Sequence, residues 1–384
     1  PTRRSSDLMT DRSHRVQGLS NDEVAADWAP ISIDELARLR GDYPALEGDC
    51  QLLWHSPRPM SAAALVQTPS QRVFVKRHHP RVRTAPTLRE EHRFIAHLAA
   101  AGLPVVSVLR TRAGDSAVAT GDGTYEAHSV PAGEDRYRDA SSWTPPSTVA
   151  DASALGAMLA RLHHAAVDYH APQRSTQVLV ARDELIRADD PLDALKAQLH
   201  ARPGLADYLV RRPWESELAR SVLPWHSRVV ARAAAEPVLW THNDLHVSNL
   251  LWQPGLSQVS AVLDFGLASP TSALFDLATA IERNAVAWLE LDQGRPAARP
   301  AMALALLEGY RRVRALDAAQ VHLLADLLPV VHLDFALSEI EYFHAVTGSE
   351  ANADVAYYTF LLGHADWFHS DEGRALLDAL RAAA

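Results

Sequence analysis

The stretch Thr241–Leu251 reads THNDLHVSNLL, and VLDFG follows it at Val262–Gly266. Apolar segments flank both motifs, so the polar side chains are expected on a loop that strands anchor at both ends. Asn249 and Asp264 together offer two hard oxygen ligands of the kind that Mg²⁺ on a nucleotide's phosphates prefers. Asp244 is then left as a base or as a group that orients a substrate.

A strand-like segment upstream ends on a lysine. In RVFVK, Arg72–Lys76, Val73 and Val75 alternate with Phe74, and this period of two predicts a strand that ends at Lys76.

A helix is predicted next, from LREEHRFIAHL at Leu88–Leu98, with a capping box made by Thr87 and Glu90. Its apolar residues repeat at helical spacing, and Glu91 falls on the same face. Because a charge on a core-facing position requires a partner, we expect Glu91 to have one.

The chain divides into a small region with a sheet and a large helical region, which predicts an α+β fold. Residues 50–129 form the N-lobe, 130–133 (VPAG) the hinge and 134–384 the C-lobe. The N-lobe segments with β-type patterning are Gln51–Trp54, Ala62–Val66, Arg72–Val75, Val105–Thr111, Ser116–Ala119 and Thr124–Ser129. The C-lobe helices are expected around Leu155–Leu162 and at Leu218–Ala235, Ala273–Glu290, Ala301–Arg314 and Val321–Val346, with a short one after Ser370.

The N-terminal part is expected to stand apart from these lobes. Residues 1–8 contain the string RRSSDL, typical of a translated adapter, so they are interpreted as a non-native leader before Met9. Residues 9–49 form an extension with a short helix at Ser32–Leu39, which a serine can cap.

Composition excludes several classes of protein. The 384 residues carry a formal charge of −10, which argues against a nucleic-acid or anionic-membrane partner, since both need a basic surface. Cys50 is the single cysteine, so there is no disulfide framework and no cysteine-based metal site. Neither a membrane span nor a secretory signal is visible, and the expected location is the cytoplasm.

The motifs in their order resemble the aminoglycoside phosphotransferase and choline kinase-like family of small-molecule kinases. The features that carry the resemblance are VFVK, the helix glutamate, HxDxxxxN and DFG, spread over about Cys50 to Glu290. The form HNDLHVSN is most similar to the branch with homoserine kinases and bacterial stress-response kinases. The resemblance implies a bilobal protein-kinase-like fold.

It also implies roles for individual residues. Lys76 would hold the α- and β-phosphates of ATP and pair with Glu91, while Asp244 would be the catalytic aspartate. Asn249 and Asp264 would bind Mg²⁺. The hinge backbone from His128 through Ser129 and Val130 to Ala132 would read the adenine edge. His242, His246 and Asp276 are interpreted as structural support for the loop.

Two departures from protein kinases are visible. The segment that should cover the phosphates, HSPRPMSA at His55–Ala62, contains no glycine, so its phosphate contacts and the identity of the triphosphate donor stay open. No APE-like element follows DFG, which argues against a protein substrate.

The acceptor site has two competing interpretations. Asp334 and Glu341, with Tyr342 beside them, could form an acidic wall for an amine-bearing acceptor. Arg136 and Arg138, just after the hinge, could instead meet an anionic acceptor.

The sequence therefore predicts transfer of the γ-phosphoryl group of Mg-ATP to a hydroxyl of a small molecule. The acceptor classes are an aminoglycoside-like antibiotic, an amino acid such as homoserine, or an amino alcohol. One alternative is a nucleotide-binding pseudokinase. Another is a metal-dependent hydrolase with His242, Asp244 and His246 as ligands.

Overall fold

The computed structural model describes residues 14–15, 23–24, 28–56, 60–121, 123–138, 140 and 143–384. The predicted leader at 1–8 lies outside these residues, and so do positions 57–59 of the glycine-free segment. Within the described residues, no helix combines the length and the apolar character needed to cross a bilayer.

The strands lie in the first third of the chain and again between residues 238 and 272. They are β1 His14–Arg15, β2 Glu23–Val24, β3 Gln51–His55, β4 Ala62–Gln67, β5 Arg72–His78, β6 Ala117–Thr120, β7 Gly123–Ser129, β8 Val238–Thr241, β9 Leu250–Trp252, β10 Val259–Val262 and β11 Ser269–Ser272.

The helices make up most of the remainder. They are α1 Ile33–Leu39, α2 Ala85–Ala100, α3 Val149–Ala165, α4 Glu184–Arg187, α5 Pro191–Leu199, α6 Pro203–Leu209, α7 Trp214–Ser221, α8 Leu223–Ala235, α9 Ala273–Ala285, α10 Pro300–Arg311, α11 Ala318–Leu327, α12 Leu333–Glu341, α13 Glu350–Asp354, α14 Gly363–Trp367 and α15 Asp371–Arg381. Short 3₁₀ turns occupy Pro44–Leu46, Val247–Asn249 and Trp288–Gln293, and π-helical turns occupy Tyr342–Thr347 and Val355–Leu362.

The N-lobe is a five-stranded antiparallel sheet in the order β3-β4-β5-β7-β6, with α2 packed against it. Alternation along β5 and β7 gives the sheet two different faces. Val73, Val75 and Ala127 lie in one apolar cluster with residues of α1, so the N-terminal extension covers that face. The alternate positions of the two strands point to the other face. They include Lys76 and Glu126, which lie opposite each other in the strand register. The predicted α+β class is confirmed.

Helix α2 begins earlier than predicted. Thr84 is its N-cap and forms the capping box with Thr87, and Pro86 sits in the first turn. Proline is tolerated there because the first N–H groups of a helix have no intrahelical acceptor. The predicted box of Thr87 and Glu90 is therefore wrong, and Glu90 instead accepts hydrogen bonds from the backbone N–H and the hydroxyl of Ser175, at 3.1 and 2.6 Å.

Several predicted elements are divided or absent. Val105–Thr111 forms no strand but only single bridges, such as Val108 to His128. The segment predicted as one helix at Val321–Val346 is α11, α12 and a π-helical turn, with a break of turns between α11 and α12.

Helices α3 and α10 make the most extensive helix contact of the C-lobe. A Cβ atom added at Gly156 would lie 2.0 Å from the carbonyl oxygen of Leu306, and one at Gly309 would lie 2.0 Å from that of Ser153. The two glycines therefore allow the two backbones to touch directly.

Candidate active site

The loop after β8 is held by one buried aspartate. Asp276 of α9 accepts hydrogen bonds from the backbone N–H groups of His242 and Asn243, both at 2.9 Å, and lies 3.0 Å from Nε2 of His163. Asn243 has φ of 61°, a left-handed conformation that asparagine tolerates better than most residues.

His242 uses both ring nitrogens inside the protein. Its Nδ1 accepts from the N–H of Asp244 at 3.2 Å, and its Nε2 donates to the carbonyl of Leu263 at 3.0 Å. Burial lowers the pKa of His242, so the imidazole is neutral. A metal ion at His242, Asp244 and His246 would need one of these nitrogens, so the hydrogen bonds of His242 argue against the hydrolase interpretation. Among the described residues, convergent histidine and carboxylate ligand atoms occur in the N-lobe instead.

Asp244 has polar neighbours on both oxygens. Its Oδ2 accepts from Nδ2 of Asn249 at 3.1 Å, and its Oδ1 forms an ion pair with Nη1 of Arg283 and lies 3.7 Å from Nε2 of His246. The side chain is 19% exposed, which leaves it accessible from the cleft.

Arg283 is a site residue that the sequence analysis missed. Its guanidinium carbon lies 5.2 Å from the ring centre of Trp143 and 5.3 Å from that of Phe335. Helix α9 is buried on all sides, so no helical periodicity singles out one of its charges. The cue available was a set of three charged residues, Asp276, Glu282 and Arg283, within a mainly apolar helix.

The strand pair β9 and β10 brings the two predicted cation ligands together. The N–H of Leu263 donates to the carbonyl of Asn249 at 2.9 Å, which sets Asn249 beside the residue before Asp264. Asp264 has φ of 54°, and its Oδ1 accepts from the N–H of Gly266 at 3.3 Å.

Lys76 crosses from the N-lobe to Asp264. Its Nζ lies 2.9 Å from Oδ1 of Asp264, and the side chains are 10% and 44% exposed. Burial alone would lower the pKa of Lys76, but Asp264, with help from Glu126 and Glu91, holds it above the ordinary value of 10.5. Desolvation likewise opposes ionisation of Asp264, yet Lys76 holds the pKa of that carboxyl well below 3.8. Both groups are therefore charged at neutral pH.

Glu91 has a different partner from the predicted one. Its Oε2 lies 3.5 Å from Nη2 of Arg174, a buried arginine that also donates to the carbonyls of Ala268 at 3.0 Å and Thr87 at 3.2 Å. Glu91 is 2% exposed, so the expectation that this buried charge has a partner is confirmed. The expectation that the partner is Lys76 is wrong.

Arg83 is a second arginine that the sequence analysis missed. It donates to the carbonyls of Val178 at 2.8 Å and Gly266 at 3.0 Å, and also to that of Leu179. It therefore ties the start of α2 to the DFG segment. Arg83 and Arg174 are separated from these partners by 83 to 183 residues of sequence, so local patterns do not reveal them.

The donor set fits a hard cation. The side-chain amide nitrogen of Asn249 donates to Asp244, so its side-chain carbonyl oxygen remains for a cation. Oδ1 of Asp264 accepts from Lys76 and Gly266, so Oδ2 remains for the same cation. Both remaining groups are oxygens, the ligand type that Mg²⁺ and Ca²⁺ require.

The hinge is only partly available to a nucleotide base. The N–H of Ser129 donates to the carbonyl of Ser107 at 2.9 Å, and the carbonyl of Ala132 accepts from Oγ of Ser260 at 3.0 Å. The imidazole of His128 faces the interior, where its Nε2 lies 2.9 Å from Glu126. Val130 is exposed.

The predicted acidic wall is not an open surface. Glu341 pairs with Nε of Arg202 at 2.8 Å, and the hydroxyl of Tyr342 accepts from Nε1 of Trp28 at 3.1 Å. Asp334 is 3% exposed and its Oδ2 lies 3.4 Å from the N–H of Leu185. Because each of the three is buried against a partner of its own, this interpretation of the acceptor site is corrected.

The two arginines after the hinge are also engaged. Arg136 donates to the carbonyls of Gln253 at 2.8 Å and Leu256 at 2.7 Å, and its guanidinium lies 5.5 Å from the ring centre of Trp252. Arg138 pairs with Asp135 at 3.3 Å. Arg283 is instead the arginine in contact with Asp244.

Comparison with known proteins agrees with this geometry. The family described as phosphotransferase enzyme family (APH) matches residues 61–316. No curated protein sequence matches the chain significantly.

Solved structures share the fold at low sequence identity. An amicoumacin kinase, hAmiN, solved with AMP-PNP, Ca²⁺ and Ami, superposes with a TM-score of 0.58 at 13% identity, over 89% of this chain and 93% of that one. A microcompartment-associated aminopropanol kinase gives a TM-score of 0.53 at 19% identity over 89% and 98%. An aminoglycoside phosphotransferase from Alicyclobacillus acidocaldarius gives 0.51 at 16% over 93% and 97%.

The match spans most of the chain and includes Lys76, Asp244, Asn249 and Asp264. The fold is the bilobal one of small-molecule kinases, and the resemblance seen in the sequence is confirmed. This chain belongs to the phosphotransferase enzyme family.

Proposed function

We propose that the protein transfers the γ-phosphoryl group of ATP to a hydroxyl group of a small molecule. The observation that carries this proposal is the contact of Lys76 with Asp264 and of Asn249 with Asp244, two pairs that the backbone hydrogen bond from Leu263 to Asn249 holds side by side. A lysine ammonium, two oxygen ligands and a cleft-facing carboxylate are what phosphoryl transfer needs at one point.

Lys76 and the two oxygen donors would serve the nucleotide. The Lys76 ammonium would bind its phosphates, and Asn249 and Asp264 would hold the divalent cation, which we take to be Mg²⁺. When bound, Mg²⁺ neutralises charge on the β- and γ-phosphate oxygens. Val130 is an exposed hinge residue, and we expect its backbone groups to bind the nucleotide base.

Asp244 would act on the acceptor. Its carboxylate accepts the proton of the hydroxyl as the acceptor oxygen forms a bond to the γ-phosphorus, the bond to the bridging oxygen breaks, and ADP leaves. Because the protein forms no covalent bond to the phosphoryl group in this step, positioning of the reactants and neutralisation of charge supply most of the catalysis. Arg283 and Asn249 hold the carboxylate in place for this role.

We place the acceptor beside Asp244, next to the Trp143, Arg283 and Phe335 group. The solved relatives include an amicoumacin kinase and an aminopropanol kinase, and aminopropanol is an amino alcohol that carries a hydroxyl group. For this chain we propose an antibiotic of the aminoglycoside type, an amino acid such as homoserine, or an amino alcohol.

The test is ADP release from Mg-ATP across a panel of aminoglycosides, macrolides, homoserine, choline, ethanolamine and sugars. Asp244→Asn is run in parallel, with binding of a nonhydrolysable ATP analogue measured for both proteins. We expect turnover with one acceptor class, its loss in Asp244→Asn, and nearly equal nucleotide affinity.

Two outcomes would contradict the proposal. Turnover that survives in Asp244→Asn would remove Asp244 from its role. Tight nucleotide binding with no turnover on any acceptor, and no phosphorylated product in a metabolite extract, would favour the pseudokinase alternative.

A further inference from the structure

A buried cluster of one carboxylate and three imidazoles lies in the N-lobe and takes no part in the proposed reaction. Glu126 and His128 come from alternate positions of β7, His78 from β5 and His92 from α2. Glu126, His92 and His128 are 1%, 4% and 5% exposed, and the side chain of His78 is 12% exposed. The cluster is therefore part of the lobe's interior, on the face of the sheet that α2 covers.

The nitrogen atoms converge on one carboxylate. Nε2 of His92 and Nε2 of His128 lie 2.6 and 2.9 Å from Oε2 of Glu126, and Nε2 of His78 lies 2.8 Å from Oε1. Ligand atoms of Glu126, His92 and His128 all fall within 4.8 Å of one another.

The negative charge of Glu126 and the hydrogen bond behind His92 suit a cation. Lys76 occupies the register position opposite Glu126, but its ammonium is paired with Asp264, so the direct donors to Glu126 are imidazoles. Burial opposes ionisation of Glu126, yet His128 and the other two histidines hold its pKa well below the ordinary value. Nδ1 of His92 lies 2.8 Å from the hydroxyl of Ser116, the kind of outer contact that orients a metal-binding histidine.

We propose that His92, Glu126 and His128, with His78 as the fourth ligand, form a binding site for a divalent transition metal ion of the zinc type. Imidazole nitrogen and carboxylate oxygen are the donors that Zn²⁺ accepts in four-coordinate sites. Ligands on a tetrahedron around Zn²⁺ stand about 3.4 Å apart, so each imidazole nitrogen needs to move about 0.5 to 0.8 Å farther from the Glu126 oxygen that it now contacts.

A cation at this point would join α2 to β7. Helix α2 also carries Glu91, and β7 leads directly into the hinge. Occupancy would therefore stiffen the wall of the N-lobe behind the nucleotide cleft without contributing to the phosphoryl-transfer chemistry.

The experiment uses the full chain, free of any affinity tag and stripped with a chelator. Co²⁺ is titrated as a spectroscopic probe, followed by displacement with Zn²⁺ and thermal unfolding with and without Zn²⁺. We expect one equivalent of Co²⁺ with the intense visible bands of tetrahedral coordination, displacement by Zn²⁺, and a rise in Tm with Zn²⁺.

Three variants locate the ion. His92→Gln is expected to abolish the Co²⁺ spectrum, and Ser116→Ala, which keeps all four ligands, is expected to weaken affinity by about 10- to 100-fold. His97→Gln is the matched control, because His97 lies on the same helix and its Nε2 donates to the carbonyl of Ala165 at 2.8 Å instead. It should bind like the wild type.

Asp264→Asn separates this site from the catalytic one and should retain the Co²⁺ spectrum. The proposal is overturned if the wild type takes up no stoichiometric metal, which would leave a purely hydrogen-bonded network around Glu126. It is equally overturned if Asp264→Asn loses the ion, or if Ser116→Ala and a folded His92→Gln both bind like the wild type.

Discussion

Arg283 of α9 forms an ion pair with Asp244, the carboxylate that we assign to the acceptor hydroxyl. Burial lowers the pKa of Arg283 to about 10 against the opposing effect of Glu339, so the guanidinium remains charged at neutral pH. The rings of Trp143 and Phe335 flank it. Asp244 therefore has a fixed counter-charge and a fixed direction.

Arg283→Gln should lower kcat by about 100-fold with nucleotide affinity nearly unchanged, because the carboxylate loses the contact that positions it. Arg283→Lys keeps the charge and should recover part of the rate. The check is steady-state kinetics together with calorimetry of an ATP analogue. Arg312→Gln, an exposed arginine of the C-lobe, serves as control. An unchanged kcat in Arg283→Gln would show that Asp244 needs no such partner.

Lys76→Met should weaken binding of the ATP analogue by at least about tenfold and lower kcat, because the phosphates lose their ammonium and Asp264 loses its counter-charge. Arg77→Met is the matched control: it removes one positive charge at the next residue, which pairs with Glu35 instead. Calorimetry of both variants checks the prediction, and equal affinities would contradict it.

His332 predicts a pH dependence of stability. Burial lowers its pKa from 6.5 to about 4, although its Nε2 donates to the carbonyl of Leu361 at 3.0 Å. The unfolded chain takes up this proton below 6.5 and the folded chain only near 4, so about 3 kcal/mol of stability is present above 6.5 and is lost as the pH falls towards 4.

Urea unfolding across this pH range checks the His332 prediction. His332→Gln keeps a donor for Leu361 but does not titrate, so its stability should fall less steeply than that of the wild type. His322→Gln, an exposed histidine of α11, should follow the wild type. Parallel curves for the wild type and His332→Gln would rule out His332 as the source.

Gly309→Ala should destabilise the protein by about 2 kcal/mol or more. In most helices this change would stabilise by up to about 1 kcal/mol, but here the new methyl group would meet the carbonyl of Ser153 at 2.0 Å. Chemical unfolding checks the sign. Gly41→Ala, where the nearest atom is 3.7 Å away, should change stability by less than about 0.5 kcal/mol. A stabilised Gly309→Ala would mean that α3 and α10 can separate at little cost.

The elements that sequence reasoning located are those with a local cause. The alternation in β5 and the helical spacing in α2 each depend on neighbours within a few residues, and so does the loop around Asp244. The start of α2 was misplaced because Thr84 and Thr87 both satisfy the capping pattern, and only the backbone decides between them.

The partners of buried charges were not predictable in the same way. Glu91 was expected to meet Lys76, but Arg174 arrives from a distant segment and takes that place. For α12, the break before Leu333 sets which face meets the loop near Leu185, and no periodicity within the helix contains that information. The N-lobe cluster likewise joins His78 to Glu126 through strand register and brings in His92 through the packing of α2 on the sheet.

The ion pair between Lys76 and Asp264 changes what nucleotide binding involves. The ammonium has already left water and joined the two lobes when the chain folds, so its dehydration belongs to folding rather than to recognition. An arriving phosphate group therefore exchanges one oxygen partner for another, and the number of ionic contacts at the lysine stays nearly constant. The contribution of Lys76 to nucleotide affinity should therefore be the difference in free energy between its contact with the phosphate and its contact with Asp264. When ADP leaves, the contact with Asp264 forms again.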